Sequence, residues 1–356
     1  MSEPGKRAPA FSGACPLPIS DYPTVQLAHG GGGRLSKILI EQMFGAAFSN
    51  PVLDQYHDGA ILEATPGRLA FSTDSFVIRP LFFPGGNIGS LAVHGTLNDV
   101  AMCGARPRAM SAGFILEEGF PMADLWRIVE AMRDAAAEAG VPIVTGDTKV
   151  VDRGKGDGVY INTSGLGVIP EGVDISSSRV RPGDRVLLSG RIAEHGIAIM
   201  SVREGLEFET RLESDSASVV PLVDALLGRF VEETRVLRDP TRGGVASALN
   251  EIAGQARLGI EIEEGAVPLA EEVRGACEIL GFDPLYVANE GKCLAIVSPE
   301  VAEEVVGMWR SQPLGADAAV IGEVVETHPG RVFLRSSIGG MRVVDMLSGE
   351  QLPRIC

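Results

Sequence analysis

The sequence has no apolar run approaching the roughly 18 residues needed to span a bilayer, although 45% of its 356 residues are hydrophobic. No membrane association is therefore predicted. The stretch from Met1 to Cys15 holds Pro, Gly and two basic residues but no apolar signal core, which points to a cytoplasmic protein. Cysteine is scarce: the residues at 15, 103, 277, 293 and 356 form no CxxC pair and fit neither a disulfide framework nor a structural zinc module. Basic residues are outnumbered, 31 Lys plus Arg against 47 Asp plus Glu, and the formal net charge is −16. A field of that sign disfavours non-specific contact with nucleic acid or an anionic membrane. It leaves room for a nucleotide, because backbone amides, a few cations and Mg2+ can hold phosphate. The P-loop GxxxxGK[ST] and the Rossmann GxGxxG are also absent, so neither a Walker-type ATPase nor a Rossmann dehydrogenase is indicated.

What the chain has in excess is glycine, 44 residues with no triplet period, against a typical usage of roughly 7%. Such an excess suggests tight turns and close approach of backbone to a ligand. The length predicts two domains. Residues 1–34 read as a leader ending in His29-Gly30-Gly31-Gly32-Gly33-Arg34. Apolar spacing then predicts a helix over 35–48, a strand over 69–78, a helix over 89–102, a strand over 108–117 and a helix from Met122 to Gly140. A short strand over 141–144 runs into the segment Thr145-Gly146-Asp147-Thr148-Lys149, and another strand spans 158–168. The turn Arg181-Pro182-Gly183-Asp184 marks the domain boundary. The expected organisation is a first domain over 35–175, a second over 182–345 and a flexible tail over 346–356. In the second half helices are expected over 222–230, 245–253 and 299–311, and strands over 294–297, 318–326 and 330–335. Alternating helices and isolated strands imply α/β or α+β layers in both halves.

Three carboxylates sit beside small or hydroxyl residues, in Thr73-Asp74-Ser75, Asn98-Asp99 and Gly146-Asp147-Thr148. A strand that delivers an Asp to a sheet edge places it where α/β proteins bind ligands, and several together would supply the oxygen ligands of Mg2+. Any one alone is an ordinary cap or turn residue. Gly30 to Gly33 and the loop Thr241-Arg242-Gly243-Gly244 are candidate anion contacts, the second through helix N-terminal amides and a guanidinium. Cys356 ends the chain. It reads either as an unimportant exposed thiol or as a thiol on a tether, disfavoured as thiolate by its own terminal carboxylate and favoured by Arg354.

In order, Leu27-Ala28-His29-Gly30-Gly31-Gly32-Gly33, Thr73-Asp74-Ser75-Phe76-Val77, Phe83-Pro84-Gly85-Gly86-Asn87, Leu97-Asn98-Asp99-Val100-Ala101-Met102-Cys103, Val144-Thr145-Gly146-Asp147-Thr148-Lys149, Pro240-Thr241-Arg242-Gly243-Gly244, Asn289-Glu290-Gly291 and the ending Pro353-Arg354-Ile355-Cys356 resemble the HypE hydrogenase maturation factors. The resemblance covers residues 25 to 356 and leaves the leader uncovered. It implies a two-domain aminoimidazole ribonucleotide synthetase-like fold, shared with selenophosphate synthetase and thiamine-monophosphate kinase, in which the N-terminal domain pairs across a homodimer and ATP lies between the domains. It further implies that a carbamoyltransferase, HypF, loads Cys356 with a carbamoyl group. ATP-dependent dehydration then leaves a thiocyanate, whose cyanide passes to iron on a HypC–HypD scaffold. Asp74, Asp99 and Asp147 become expected ligands of Mg2+, with Asn98 in support. Gly30, Gly31, Gly32, Gly33, Thr148 and Arg242 become nucleotide contacts, together with Asp74 and Asn98. Glu290 is expected to accept a proton from nitrogen and Lys149 to steady the carbonyl oxygen. His94 is a weaker candidate with an equal claim to a structural role, and Cys103 is expected to be structural. The competing readings are a selenophosphate-synthetase-like or small-molecule kinase, whose activity would survive loss of the tail, and an ATP-responsive scaffold that performs no chemistry.

Overall fold

The computed structural model describes residues 22–64, 66–205, 212–347 and 354–356. Its first half is a four-stranded sheet backed by two helices. A helical stretch runs through α1 (Arg34–Leu39), a π turn at Ile40–Gly45 and α2 (Ala46–Phe48). There follow β1 (Arg68–Phe76), the two-residue strands β2 (Phe82–Phe83) and β3 (Gly86–Asn87), α3 (Ile88–Met102), β4 (Arg106–Glu117), α4 (Met122–Glu138), β5 (Ile143–Val151) and β6 (Val159–Ile169). The sheet order is β1-β6-β4-β5, antiparallel except for the parallel β4–β5 pair.

Helix α3 is apolar almost all round because it is covered on every side. Asn87 caps it by accepting from the Gly89 and Ser90 amides, and Ser90 answers the Asn87 amide. A side chain at Gly89 would collide with the Ile128 carbonyl of α4, and one at Gly95 with the Phe76 ring, so glycines let the helix lie close to α4 and to β1. The opposite face of the sheet is bare. Leu69 is 57% and Phe71 70% exposed, and Ile115 is also exposed.

The second half holds β7 (Arg185–Leu188), α5 (Glu194–Glu204), α6 (Val220–Arg229), β8 (Thr234–Arg238), α7 (Gly244–Ala256), β9 (Gly259–Glu263), α8 (Glu271–Leu280), β10 (Leu294–Val297), α9 (Ala302–Arg310), β11 (Ala319–Val325), β12 (Val332–Arg335) and β13 (Met341–Val344). Its strands form one mixed sheet in the order β13-β12-β9-β11-β7-β10-β8. Strands β8 and β10 are antiparallel neighbours. The end of β8 and the start of β10 therefore lie at one edge of the sheet, and that edge meets α3.

One expectation from the sequence changes here. The segment around Asp147 is not a loop after a short strand: β5 continues through it to Val151, paired to β4 residue by residue. The glycine at 146 permits this, since a Cβ there would strike the Ala112 carbonyl of β4.

Candidate active site

The acidic candidates divide between the two faces of the first sheet. Side chains paired across a sheet share a face and neighbours along a strand alternate. Ser75 pairs with Asn162, Asn162 with Gly113 and Gly113 with Asp147. Asp147 and Ser75 therefore share the bare outer face, and Asp74 points to the inner face, towards α3. Asp74 and Asp147 are also three strands apart, ~14 Å at ordinary strand spacing. Within one chain the three expected metal ligands do not converge.

The inner-face group lies where α3 meets the second sheet. Asp74 accepts from the Ser75 amide at 2.7 Å, and Asp99, one helix position beyond Asn98, accepts from the Ser72 hydroxyl at 2.7 Å. Burial is the main cause that raises the pKa of both, and Asp74 adds to the rise at Asp99. Asp239 follows β8 and is partly buried at the junction. Burial first and the Asp99 carboxylate second push it up to about 7. Glu290 precedes β10. Burial, then Asp239, Asp215, Asp74 and Asp99 in turn, raise it well above the usual carboxylate range. Its Oε1 is buried with no hydrogen-bond partner.

Asp239 was not singled out by sequence reasoning, yet the signal was present. It stands directly after strand β8, at the head of the very loop read as an anion site. Arg242 in that loop faces the same cluster and partly offsets the rise at Asp74. The loop turns into α7 through Gly243 and Gly244, both in the left-handed region, and a Cβ at Gly244 would collide with the Leu285 carbonyl.

The end of the tail occupies this junction. The Val77 amide donates to a terminal carboxylate oxygen of Cys356 at 3.1 Å and the Arg79 amide to the Arg354 carbonyl at 3.3 Å, so the last residues run beside the segment after β1. Ile355 is buried in the first core. The Cys356 thiol is pushed up to about 12, by burial first and the Glu290 carboxyl next, with Arg242 opposing and Asp74 adding a smaller rise. A thiol in that setting is protonated and unreactive while docked.

Asn98 and His94 are placed close by but are committed elsewhere. Asn98 donates to the Ala217 carbonyl at 2.9 Å and to the Glu290 carbonyl at 3.4 Å, and accepts from the Val219 amide at 2.8 Å. Both ends of its buried amide tie α3 to the second half, which makes it an interdomain clamp rather than a nucleotide contact. His94 pairs with the Ser216 hydroxyl at 3.2 Å, and burial depresses it to about 4, so it is neutral and structural. Lys292, also passed over in the sequence, lies beneath Glu290 and bridges Glu194 at 3.1 Å and Asp215 at 3.2 Å.

The remaining candidates gather at the β5 edge. Lys149 holds both oxygens of Asp147, at 2.6 and 2.5 Å, and lowers its pKa. Lys149 and Glu290, expected to act on one group, therefore stand apart in a single chain. The Thr148 amide also donates to Asp147, at 2.8 Å. Gly30 packs on this strand, where a Cβ would come within 2.5 Å of the Val150 amide nitrogen. Gly31 to Gly33 lead from there into α1, with the Gly32 amide donating to Ser36 Oγ at 2.9 Å. A cavity of about 220 Å³ opens beside them, lined by Phe44, Phe48, Tyr56, Phe114 and Thr148 among others.

Among the described residues no three His, Cys, Asp or Glu side chains enclose a metal ion, and no helix is long and apolar enough to cross a membrane. The donor set at the inner face nevertheless suits Mg2+. It offers hard carboxylate oxygens whose charge is destabilised by burial and mutual repulsion, and Mg2+ ordinarily takes one or two protein carboxylates with water and phosphate completing its shell.

Family models for the N-terminal and C-terminal domains of AIR synthase related proteins match residues 56–169 and 181–335. The carbamoyl dehydratase HypE of Azotobacter vinelandii is 58% identical over 333 residues, which are 94% of this chain and 97% of that protein. A crystal structure of HypE in complex with ATP superposes with a TM-score of 0.90 at 50% identity, covering 93% of this chain and 99% of the other. HypE in a HypE–HypF complex superposes with a TM-score of 0.77 at 47% identity, over 87% of this chain and 99% of the other. These names favour the dehydratase over the kinase-like and scaffold readings. An acidic interdomain junction with the chain's own terminal cysteine seated in it, on a scaffold that matches HypE over nearly its whole length, places the chain in the HypE family of carbamoyl dehydratases.

Proposed function

We propose that the chain dehydrates an S-carbamoyl group carried on Cys356 to a thiocyanate at the expense of ATP, in the cytoplasm, as a source of cyanide for hydrogenase iron. The observation that carries this reading is the seating of Cys356 beside Glu290, Arg242 and Asp74. The carbamoyl oxygen is a poor leaving group, and transfer of the γ-phosphoryl of ATP to it makes it a good one. The C–O bond then breaks, phosphate departs, two protons leave the nitrogen and a C≡N bond remains on sulfur. Arg242 offers a fixed guanidinium where negative charge gathers. Glu290 in its ionised form accepts a proton from nitrogen, and its raised pKa makes it a stronger base than a surface carboxylate. Asp74 and Asp99 would hold Mg2+, with Asp239 adding to the negative field around them, and Mg2+ when bound supplies charge neutralisation for phosphoryl transfer.

The Asp147–Lys149 edge enters through a homodimer. Leu69, Phe71 and Ile115 leave the outer sheet face apolar and uncovered. Two such faces related by a two-fold axis along the strands would set Asp147 and Lys149 of one copy over the β1 edge of the other. Gly30 to Gly33, which adjoin β5, would then meet the nucleotide from the second copy, and Lys149 would regain its expected place near the carbamoyl oxygen. HypF is the proposed carbamoyl donor and a HypC–HypD complex the acceptor of cyanide. The docked thiol is only partly exposed and is held protonated, so loading is favoured by the tail leaving this seat.

C-terminal-peptide mass spectrometry tests the reading. With HypF, carbamoyl phosphate and MgATP, Cys356 should gain a carbamoyl group and then lose one water, and Cys356→Ala should show neither. An unmodified Cys356 opposite a HypF that is active on another acceptor would overturn it.

A further inference from the structure

The docked end of the chain is held on two sides. On one, Val77 donates to the terminal carboxylate of Cys356 and Arg79 to the carbonyl of Arg354. The carbonyl between them, that of Ile355, points the other way and meets His195 Nε2 at 2.8 Å. A carbonyl only accepts, so Nε2 carries the proton and Nδ1 is the acceptor. Nδ1 faces the Ser214 hydroxyl at 2.7 Å, and Ser214 Oγ in turn accepts from the Ser216 amide at 3.1 Å. Each group in this chain has one direction left to it, and the tautomer is set by its neighbours. His195 is wholly buried, and burial is the main cause that lowers its pKa, which favours the neutral ring the chain requires. The Phe83 ring meets it edge-on with centroids 5.7 Å apart.

The strap that supplies Ser214 also sets the acid. Asp215 accepts from the Glu290 amide at 3.1 Å and the Gly291 amide at 3.3 Å, while Ser216 and Ala217 engage His94 and Asn98 of α3. We infer that His195, oriented by Ser214, is the positioning residue that registers Cys356 in the active site, and that the Ser214–Ala217 strap fixes thiol and Glu290 relative to each other. This gives the proposed self-dehydration its alignment and rests on that reading for its purpose. Without the imidazole the Ile355 carbonyl is buried with no donor, and the docked state loses to the undocked one.

The other thiols of the chain provide the controls. Cys277 and Cys293 are buried in the second half and report folding, whereas Cys103 is exposed. The full-length protein, without nucleotide or partner, is pulsed with iodoacetamide and each cysteine is followed by peptide mass spectrometry. In His195→Ala the alkylation rate of Cys356 should rise roughly five- to thirtyfold, the factor that a buried hydrogen bond contributes to a docking equilibrium, with Cys277 and Cys293 still protected. Ser214→Ala should raise it by a smaller factor in the same direction. An unchanged Cys356 rate with Cys277 and Cys293 protected would overturn the inference. If His195→Ala exposes those two thiols, Ser214→Ala decides by the same criterion. The measurement needs no carbamoyl chemistry, so it stands or falls separately from the proposed reaction.

Discussion

Two acidic stations of nearly identical local sequence behave as opposites. Thr73-Asp74-Ser75 and Gly146-Asp147-Thr148 each place an aspartate in a β-strand of the same sheet, next to a hydroxyl residue. Each accepts the following amide, at 2.7 and 2.8 Å. Asp74 faces the covered side, and burial raises its pKa. Asp147 faces the open side, and Lys149 lowers its pKa. One residue of parity along a strand decides between a strained carboxylate that gains from a cation and a settled ion pair. The inner station carries an electrostatic cost that a bound cation would relieve, and the outer one is settled by its own lysine.

The largest break in this comparison should come from the inner station. Glu290→Gln keeps the shape of the side chain and removes the base, so single-turnover dehydration of carbamoylated protein should slow by about 10²- to 10⁴-fold, with the carbamoyl load on Cys356 unchanged by mass spectrometry. Gly291→Ala should act next, through the backbone. Its Cβ would collide with the Asp215 carbonyl, and relief of that clash must displace the strap. A loss of about 2–4 kcal/mol in denaturant unfolding is expected.

Asp239→Asn sharpens the electrostatic half of the comparison. Asp239 has a folded pKa of about 7 against 3.8 for an exposed aspartate, so between those values the folded state binds the proton that the unfolded state releases. Stability from this group is complete at low pH and is lost as pH rises towards 7, by up to about 1.4 kcal/mol per pH unit. The variant should therefore gain on the wild type as pH is raised from 4 to 7, measured by paired urea unfolding. A stability difference independent of pH would mean that Asp239 is not the burdened acid described above.

The smallest effect on stability belongs to the outer station. The Asp147–Lys149 pair is exposed on both sides, and Lys149→Ala should change unfolding free energy by less than about 1 kcal/mol. ATP-dependent dehydration should nevertheless fall if the pair completes the site of a second copy. Mixing Lys149→Ala with Glu290→Gln should then restore activity through heterodimers, which no single-chain site could do.

Much of the architecture was legible in the residues. The helix over 89–102 and the strands over 108–117 and 294–297 fall within two residues of α3, β4 and β10, because apolar periodicity and bounding turns specify such elements locally. Strand β5 was cut short because Gly146 and Asp147 read as turn residues, while the β4 backbone that accommodates them is distant in sequence. Asn98 and Asp99 are adjacent and equally polar, yet one clamps the domains and the other faces Asp74. Nothing local separates them, since the helix face that meets residues 217–219 is chosen by tertiary packing.

By itself the sequence determined the elements, the acidic character, the terminal thiol and the family, since each is written in neighbouring residues or in a motif order. Only the tertiary structure decided which carboxylates share a face, that Asp239 and Glu290 carry the heaviest burial cost, and that His195 meets the carbonyl of Ile355. The physical reason is common to all three. Side-chain direction, desolvation and hydrogen-bond partnership depend on what packs opposite a residue, and for His195 and Ile355 the opposing group lies 160 positions away.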